Sequence, residues 1–258
     1  MGNFINGQPK RMISVSLGAF IIALFSFISI GFAWISLSNT SSGSLVATVG
    51  NVDAEYSFYV YLDSTRDGNP APTIADECLS SSDDGCYWLI ENTDNPLTEE
   101  VFAFGSSDKV FPNDRFSFAM KVKNIGDFDS NLHLDFLNLV SQGYDIIDNK
   151  IQVAFYYEVT KITYLISGIE TADVKSNVGI TLYEQHFTKD NDDRYHLVEN
   201  IPLSCTDLNT QEAIIYFDLY FDPLVSGYTL LGEPTNNSNA FENQLFTISQ
   251  IAIILKKQ

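Results

Sequence analysis

Cys78 and Cys86 are the residues whose spacing most directly suggests a chemical bond. They flank a short polar segment, LSSSDDG. In an exported protein, two cysteines this close in sequence are typical of a loop closed by a disulfide. A metal site is the weaker interpretation, because no second cysteine pair or histidine pair accompanies them. We interpret the third cysteine, Cys205, as a buried thiol, with an intermolecular bridge as the alternative.

Asp63, Thr65 and Asp67 are candidate calcium ligands. They occupy alternate positions, and Gly68 follows at the sixth position, as in a calcium-binding loop. The twelfth position is Ile74, where such a loop has a bidentate glutamate. We therefore favour an ordinary Asp/Gly turn, with weak calcium binding as the alternative. No other cofactor is predicted.

Catalysis by histidine has little support in the sequence. The chain has three histidines, His133, His186 and His196, and none lies in an H-E-x-x-H motif. The nucleophile motif G-x-S-x-G and the phosphate-binding motif G-x-x-x-x-G-K-S/T are also absent. We place His133 and Asp135 on the solvated face of a strand, without a nucleophile beside them. The sequence therefore predicts a protein that is not an enzyme.

A long apolar segment decides where these residues would operate. Residues 12–37 carry no charge and directly follow Lys10 and Arg11. Such a segment can cross a bilayer as a helix, and the basic residues before it stay on the cytoplasmic side. The rest of the chain is then exported. Small residues before the bond between Ala33 and Trp34 fit signal-peptidase cleavage there, and an uncleaved membrane anchor is the alternative.

The charge of the chain narrows the choice of partners. There are 14 Lys and Arg residues against 33 Asp and Glu residues, a net charge of −19. A surface this acidic repels phosphate backbones, so nucleic acid is not an expected partner. The chain also has 19 Phe and 13 Tyr residues, which is ample material for the core of one folded domain.

Alternation of apolar and polar residues predicts β-strands throughout the exported part. It is clear at residues 54–62. Residues 116–122 and 132–136 alternate on either side of a turn at residues 124–127, which predicts a hairpin with one buried face. Residues 151–166 are apolar, aromatic and β-branched, and predict one long strand or two.

One segment resembles a known family. Residues 111–126 read FPNDRFSFAMKVKNIG, with the pattern F-P-x-D-x-F-x-F-x-x-x-V-x-N-x-G. Together with the Ser-rich linker after the apolar segment and with late apolar strands at residues 213–221 and 243–255, this resembles the TasA/camelysin family of exported fibre-forming proteins. We expect a jelly-roll-type antiparallel β-sandwich over residues 50–258, preceded by an N-terminal hydrophobic helix in residues 1–33.

The resemblance implies how subunits would join. In such proteins the freed N-terminal segment adds as a strand to the sheet of the neighbouring subunit. Here the donor would be residues 34–49, which also serve as the linker. Its apolar residues are Trp34, Ile35, Leu37, Leu45, Val46 and Val49. The implied product is a head-to-tail homopolymer in extracellular or biofilm-matrix fibres.

Two other functions fit parts of the sequence. A retained hydrophobic helix would favour a membrane-anchored monomeric binding module, such as an adhesin. Tyr56, Tyr59 and Tyr61 would then be candidates for a sugar-binding platform, although we favour cross-strand packing for them. A camelysin-like metallopeptidase is implied by the resemblance alone, because the sequence offers no recognisable ligand set. All three functions place the protein outside the cell or at its surface.

Overall fold

β-strands dominate the part of the chain that the structure describes. The computed structural model describes residues 53–67, 73–75, 77–94, 102–104, 110–142, 150–188, 194–205, 211–222, 224, 227–228, 234–235, 241 and 244–258. All of them belong to one unit, residues 43–258. The predicted hydrophobic helix, the cleavage site at Ala33 and Trp34, and the donor segment 34–49 lie outside the described residues. Within the described residues, no helix has the length and apolar character needed to cross a membrane.

The described residues contain fourteen strands and one short 3-10 helix, η1. They are β1 (Ala54–Leu62), β2 (Cys86–Asn92), β3 (Phe102–Phe104), β4 (Arg115–Asn124), β5 (Ser130–Gln142), η1 (Ile151–Ala154), β6 (Phe155–Ile166), β7 (Ile169–Glu170), β8 (Thr181–Leu182), β9 (Gln185–His186), β10 (Arg194–Leu203), β11 (Gln211–Phe221), β12 (Gly227–Tyr228), β13 (Pro234–Thr235) and β14 (Leu245–Lys257). The segment 151–166 is thus one helical turn followed by a single long strand.

The strands form two main sheets. The first sheet has the order β2-β1-β4-β11-β6-β7, with β9 also paired to β6. The second has the order β3-β14-β5-β10-β8, and β12 pairs separately with β13. Each of these strand pairs is antiparallel. The prediction of an all-β antiparallel sandwich is confirmed.

The predicted hairpin of β4 and β5 is wrong. β4 pairs with β1 and β11 in the first sheet, whereas β5 pairs with β14 and β10 in the second. The segment between them is a corner that carries the chain from one sheet to the other. Asn124 holds it, because its Nδ2 donates to the Phe128 carbonyl at 2.8 Å and to Ser130 Oγ at 3.0 Å. A strand that buries one face has the same alternation in either arrangement.

Aromatic rings join the two sheets across the core. In the first sheet, Phe118 stacks on Phe58 and on Phe217, with ring centroids 5.7 and 5.4 Å apart. From the second sheet, Phe136 meets Phe217 edge-on at 5.6 Å and Tyr157 at 5.5 Å. Each of these rings is at most 4% exposed. Rings of this size supply a large share of the buried apolar area that stabilises a sandwich.

A smaller apolar cluster lies on the other face of the first sheet. It comprises Tyr59, Tyr87, Ala119, Ile214 and Tyr216, with partly buried residues around it. The loop after β1 contributes to its cover, because the backbone N–H of Ile74 donates to the Tyr216 hydroxyl at 3.1 Å. The first sheet is therefore partly buried on both faces, which explains why its strands are rich in aromatic residues.

Replacing the ring where the sheets meet should strongly destabilise the protein. We expect Phe217→Ala to lower the free energy of unfolding by about 3–5 kcal/mol, because it leaves a cavity between Phe58, Phe118 and Phe136. Phe111→Ala is the matched control, since Phe111 is 59% exposed, and should change stability by less than about 0.5 kcal/mol. Urea denaturation measures both. Equal effects of the two substitutions would contradict this assignment of the core.

Candidate functional site

Among the described residues, β14 has a strand partner on both sides only along residues 246–248. On one side it pairs with β5 from Leu245 to Lys257. On the other side β3 pairs only with residues 246–248. Along residues 250–257, no described residue pairs with this outer edge of β14. The N–H and C=O groups of a sheet edge can hydrogen-bond an added strand, so the edge is a candidate binding site for extended polypeptide.

Apolar side chains line the inner face of the same stretch. Ile251, Ile253 and Leu255 are each at most 3% exposed and belong to the core between the sheets. They lie in the strand at the open edge, so a strand added there would extend the cover over the rim of the core. Lys256 and Lys257 are exposed at the end of β14. The site thus offers backbone groups along its edge, and an added strand would continue the buried inner face of β14.

The chain enters the sandwich at the end where β14 finishes. The Ile125 N–H donates to the Asp53 carbonyl at 2.9 Å, so the residue before β1 is held against the corner after β4. At that corner, Asn124 bonds Ser130, and Ser130 pairs with Lys257 of β14. Whatever precedes Asp53 therefore joins the sandwich at the same end as the open part of β14.

The disulfide loop lies at a different edge from that of β14, the outer edge of β2 in the first sheet. Cys78 and Cys86 are bonded, with Cα atoms 5.3 Å apart, as their spacing predicts. The loop they close folds back along β2, where Glu77 forms a parallel bridge with Tyr87 and the Cys78 N–H donates to the Tyr87 carbonyl at 2.8 Å. The outer edge of β2 is thus partly covered by its own loop, which distinguishes it from the edge of β14.

The calcium candidates form a turn. Thr65 donates to Asp63 Oδ1 from both its backbone N–H and its hydroxyl, at 2.9 and 2.6 Å. Ser64 donates to the Asp84 carboxylate in the same way, at 2.8 and 2.9 Å. Asp67 lies at the end of this segment. The Thr65–Asp63 contacts are typical of an Asx turn, the kind of turn that we favoured for this segment.

The three candidate platform tyrosines do not share a surface. Tyr56 is 8% exposed and packs in the core between the sheets, whereas Tyr59 is 6% exposed and packs on the opposite face of the first sheet. Tyr61 leans on Tyr87, with ring centroids 5.3 Å apart. Packing, which we favoured for these residues, therefore accounts for all three.

The outer face of the second sheet carries a polar pocket of about 250 Å³. Its walls come from β5, β10 and β14. The lining residues are His133, Asp135, Arg194, His196, Glu199, Ile254 and Lys256. His133 and Asp135 were candidates from the sequence. The pocket places them beside four further charged or titratable residues that the sequence did not indicate as a site, which are Arg194, His196, Glu199 and Lys256.

Two irregularities in β10 turn its polar residues to one face. The pairing of β10 with β5 shifts between His196 and Val198 and again between Val198 and Ile201. Leu197 and Val198 are both fully buried, although they are consecutive. Glu199 therefore shares the outer face with His196, and Asn200 has a positive φ of 63°. Bulges of this kind commonly redirect a side chain at a functional site.

The carboxylates of the pocket are held by specific partners. Asp135 Oδ1 accepts from Nδ1 of His196 at 2.8 Å, and its Oδ2 lies 3.3 Å from Nε of Arg194. Glu199 Oε2 accepts from the Tyr183 hydroxyl at 2.9 Å. Burial opposes ionisation of Glu199, but the Tyr183 hydrogen bond and the two histidines outweigh it and lower the pKa of that carboxyl.

His133 corrects the expectation that it lies on a solvated face. It is 4% exposed, and neither ring nitrogen has a hydrogen-bond partner among the described residues. Its Nδ1 lies 3.7 Å from Oε1 of Glu199, beyond hydrogen-bonding distance. Asp135 is also buried, at 1%. The expectation failed because the neighbouring strands β10 and β14 cover this face of β5 with long side chains.

Comparisons of the sequence give no family. No protein-family model matches the chain, and no curated protein matches it significantly.

Comparisons of the fold give weak similarities to a carbohydrate-binding module and to a pilin. One is the family 3a carbohydrate-binding module from the CipA scaffolding of Clostridium thermocellum, with 16% identity and a TM-score of 0.29, covering 60% of this chain and 97% of that one. Another is the major pilin SpaA of Corynebacterium diphtheriae, with 11% identity and a TM-score of 0.24, covering 72% of this chain and 60% of the pilin. Similarities this weak carry no argument about function.

The burial of His133 predicts a pH dependence of stability. Burial lowers the pKa of His133 below its ordinary value, and the nearby Lys256 ammonium lowers it further. Glu199 and Asp135 act in the opposite direction, but they do not outweigh these two effects. The unfolded chain therefore binds a proton more readily at this residue, so its contribution to stability falls as the pH drops below about 6.5.

Urea denaturation at about pH 7.5 and about pH 5.5 tests this contribution. In His133→Phe, we expect the loss of unfolding free energy on acidification to be smaller than in the unchanged protein. His186→Phe is the control, because His186 lies outside the pocket and bonds Asp222 at 3.0 Å. A loss in His133→Phe as large as that of the unchanged protein would contradict the prediction.

Proposed function

We propose that the chain is an exported structural protein, a subunit of extracellular or surface fibres of the TasA/camelysin type. Subunits join when residues 34–49 of one copy add as a strand to the outer edge of β14 in the next. The single observation that carries this proposal is the edge of β14 along residues 250–257, with which no described residue pairs. The proposal gives the protein no catalytic role.

The donor segment has the pattern that such an edge requires. Leu45, Ala47 and Val49 occupy alternate positions, so they share one face of a strand. That face would continue the buried inner face of β14, which Ile251, Ile253 and Leu255 form. The backbone of the added strand would satisfy the N–H and C=O groups of β14, which gives affinity without demanding a particular sequence.

The position of the donor favours assembly in one direction. The segment joins the sandwich at Asp53, at one end of the molecule, and the acceptor is the side of a strand. Donor and acceptor are thus different surfaces of one subunit, and a contact between different surfaces repeats without closing when its rotation does not form a ring. A linear fibre is the expected result.

The disulfide and the net charge support an exported location. A disulfide between Cys78 and Cys86 persists in oxidising surroundings and is rare in a reducing cytosol. The charge of −19 keeps unassembled subunits apart in solution and makes nucleic acid an unsuitable partner.

A charge on the inward face of the donor should abolish fibres. We expect Leu45→Asp to leave the sandwich folded, with an unchanged unfolding midpoint, but to prevent filament formation, because insertion would bury an unpaired carboxylate. Ser41→Asp adds the same charge in the linker and should still form filaments. Negative-stain imaging and sedimentation measure both. Normal filaments from Leu45→Asp would contradict the proposal.

A mixing experiment separates exchange between subunits from pairing within one chain. A chain lacking residues 34–49 can accept a donor strand but cannot give one, so a small fraction of it should shorten filaments of the unchanged protein. If each segment instead completed its own β14, the shortened chain would have no effect on the length of the filaments.

N-terminal sequencing of filament subunits tests the predicted cleavage. It should give a start at Trp34, whereas a start at Met1 would favour the anchored form.

A further inference from the structure

The polar pocket on the second sheet is a different surface from the edge proposed for strand exchange, although Ile254 and Lys256 of β14 line it. It opens on the outer face of the sheet, whereas donor addition uses the edge of β14. His133 is buried with both ring nitrogens unpartnered among the described residues. Leaving a buried polar group without a hydrogen bond is costly, so such groups in native proteins usually have a partner. The pocket therefore has the character of a binding site.

The charges of the pocket already compensate one another. Arg194 and Lys256 balance the charges of Asp135 and Glu199. Asp135 pairs with Arg194 and with His196, and Glu199 has the Tyr183 hydroxyl, two imidazoles and the Lys256 ammonium nearby. What remains open is neutral hydrogen-bonding capacity. His133 offers one donor and one acceptor, because burial favours its neutral form. His196 donates from Nδ1 to Asp135, which leaves Nε2 as an acceptor.

Two classes of charged ligand fit poorly. Arg194 and Lys256 line the same cavity and repel a metal cation. Among the described residues, the group of metal-ligating atoms that lie within 4.8 Å of one another is Cys78, Asp83 and Cys86, and its cysteines are disulfide-bonded. Asp135 and Glu199 repel an anion inside the pocket, and the net charge of −19 repels it outside the pocket. An apolar ligand would have only Ile254 as an apolar wall.

We infer that the pocket binds one neutral sugar ring, a hexopyranoside. Each sugar hydroxyl both donates and accepts, which matches the donor and acceptor of His133 together with the acceptors of His196 and Glu199. The cavity of about 250 Å³ has room for a small ring rather than for an extended oligosaccharide. Ile254 supplies an apolar surface for the C–H groups of the ring. A site of this kind would let the surface of the subunit hold the terminal residue of a glycan.

Histidine resonances provide a direct test. The chain has three histidines, so the imidazole Cε1–H signals of the full chain can be assigned by substituting each in turn. We expect titration with the methyl glycosides of glucose, galactose, mannose and N-acetylglucosamine to give, for at least one of them, saturable shifts of the His133 and His196 signals. The His186 signal should not move, because His186 bonds Asp222 away from the pocket.

Matched variants show whether the shifts report binding in the pocket. His196→Ala should weaken the affinity about tenfold, as expected for one lost hydrogen bond. His186→Ala should leave it unchanged, although the two histidine side chains are equally exposed, at 41%. Because each variant is compared by its remaining histidine signals, a misfolded protein would be recognised when those signals collapse to random-coil positions, and Glu199→Gln would then replace it.

Other ligands define the results that would overturn the inference. Zn²⁺, inorganic phosphate and free glycine are titrated in the same way. If none of the four glycosides shifts the His133 signal, the sugar-binding inference is wrong. It is also wrong if the glycosides shift His186 equally, or if Zn²⁺ or phosphate binds the pocket and the glycosides do not. Filament formation by the same sample is recorded separately, so failure of this inference leaves the fibre proposal unaffected.

Discussion

The contact between the two sheets through aromatic rings is the interaction on which the rest of the structure depends. Phe217 of the first sheet touches Phe118 beside it and Phe136 across the core. This contact fixes which face of each strand is inward, and so decides what lies on the outer faces and the edges. The pocket lies opposite the inward face of β5, and the buried inner face of β14 continues the same core. Both candidate sites are consequences of how the core is closed.

Strand positions could be predicted from the sequence, but strand partners could not. The alternation at residues 54–62 gives β1, and the late apolar segments give β11 and β14 within two residues at each end. The partner of each strand is not encoded in alternation, because any strand with one buried face has the same pattern. The β4–β5 pair shows the consequence: a corner stabilised by Asn124 was read as a hairpin, since both use a polar turn between alternating strands.

The candidate site was predictable where it depends on local chemistry and missed where it depends on register. The spacing of Cys78 and Cys86 was sufficient to predict their bond. The pocket was missed because His133 and Glu199 lie far apart in sequence and meet only through the bulges of β10. Strict alternation would put Glu199 on the face opposite His196, and only the consecutive burial of Leu197 and Val198 reverses it. The available local signal was the asparagine at position 200, because asparagine adopts a positive φ more readily than most residues, and Asn200 has a φ of 63°.

The edge of β14 along residues 250–257, with which no described residue pairs, also has a consequence for the unassembled subunit of the proposed fibre. From Leu245 to Leu255 the strand carries no charged side chain, and its first charges are Lys256 and Lys257. An uncharged edge pairs with whatever extended chain it meets first, including a misfolded copy, so it lacks the usual gatekeepers against aggregation. In the proposed fibre, the edge of β14 must therefore stay covered until a donor strand reaches it, and its protection before assembly limits the yield of fibres as directly as the affinity between subunits does.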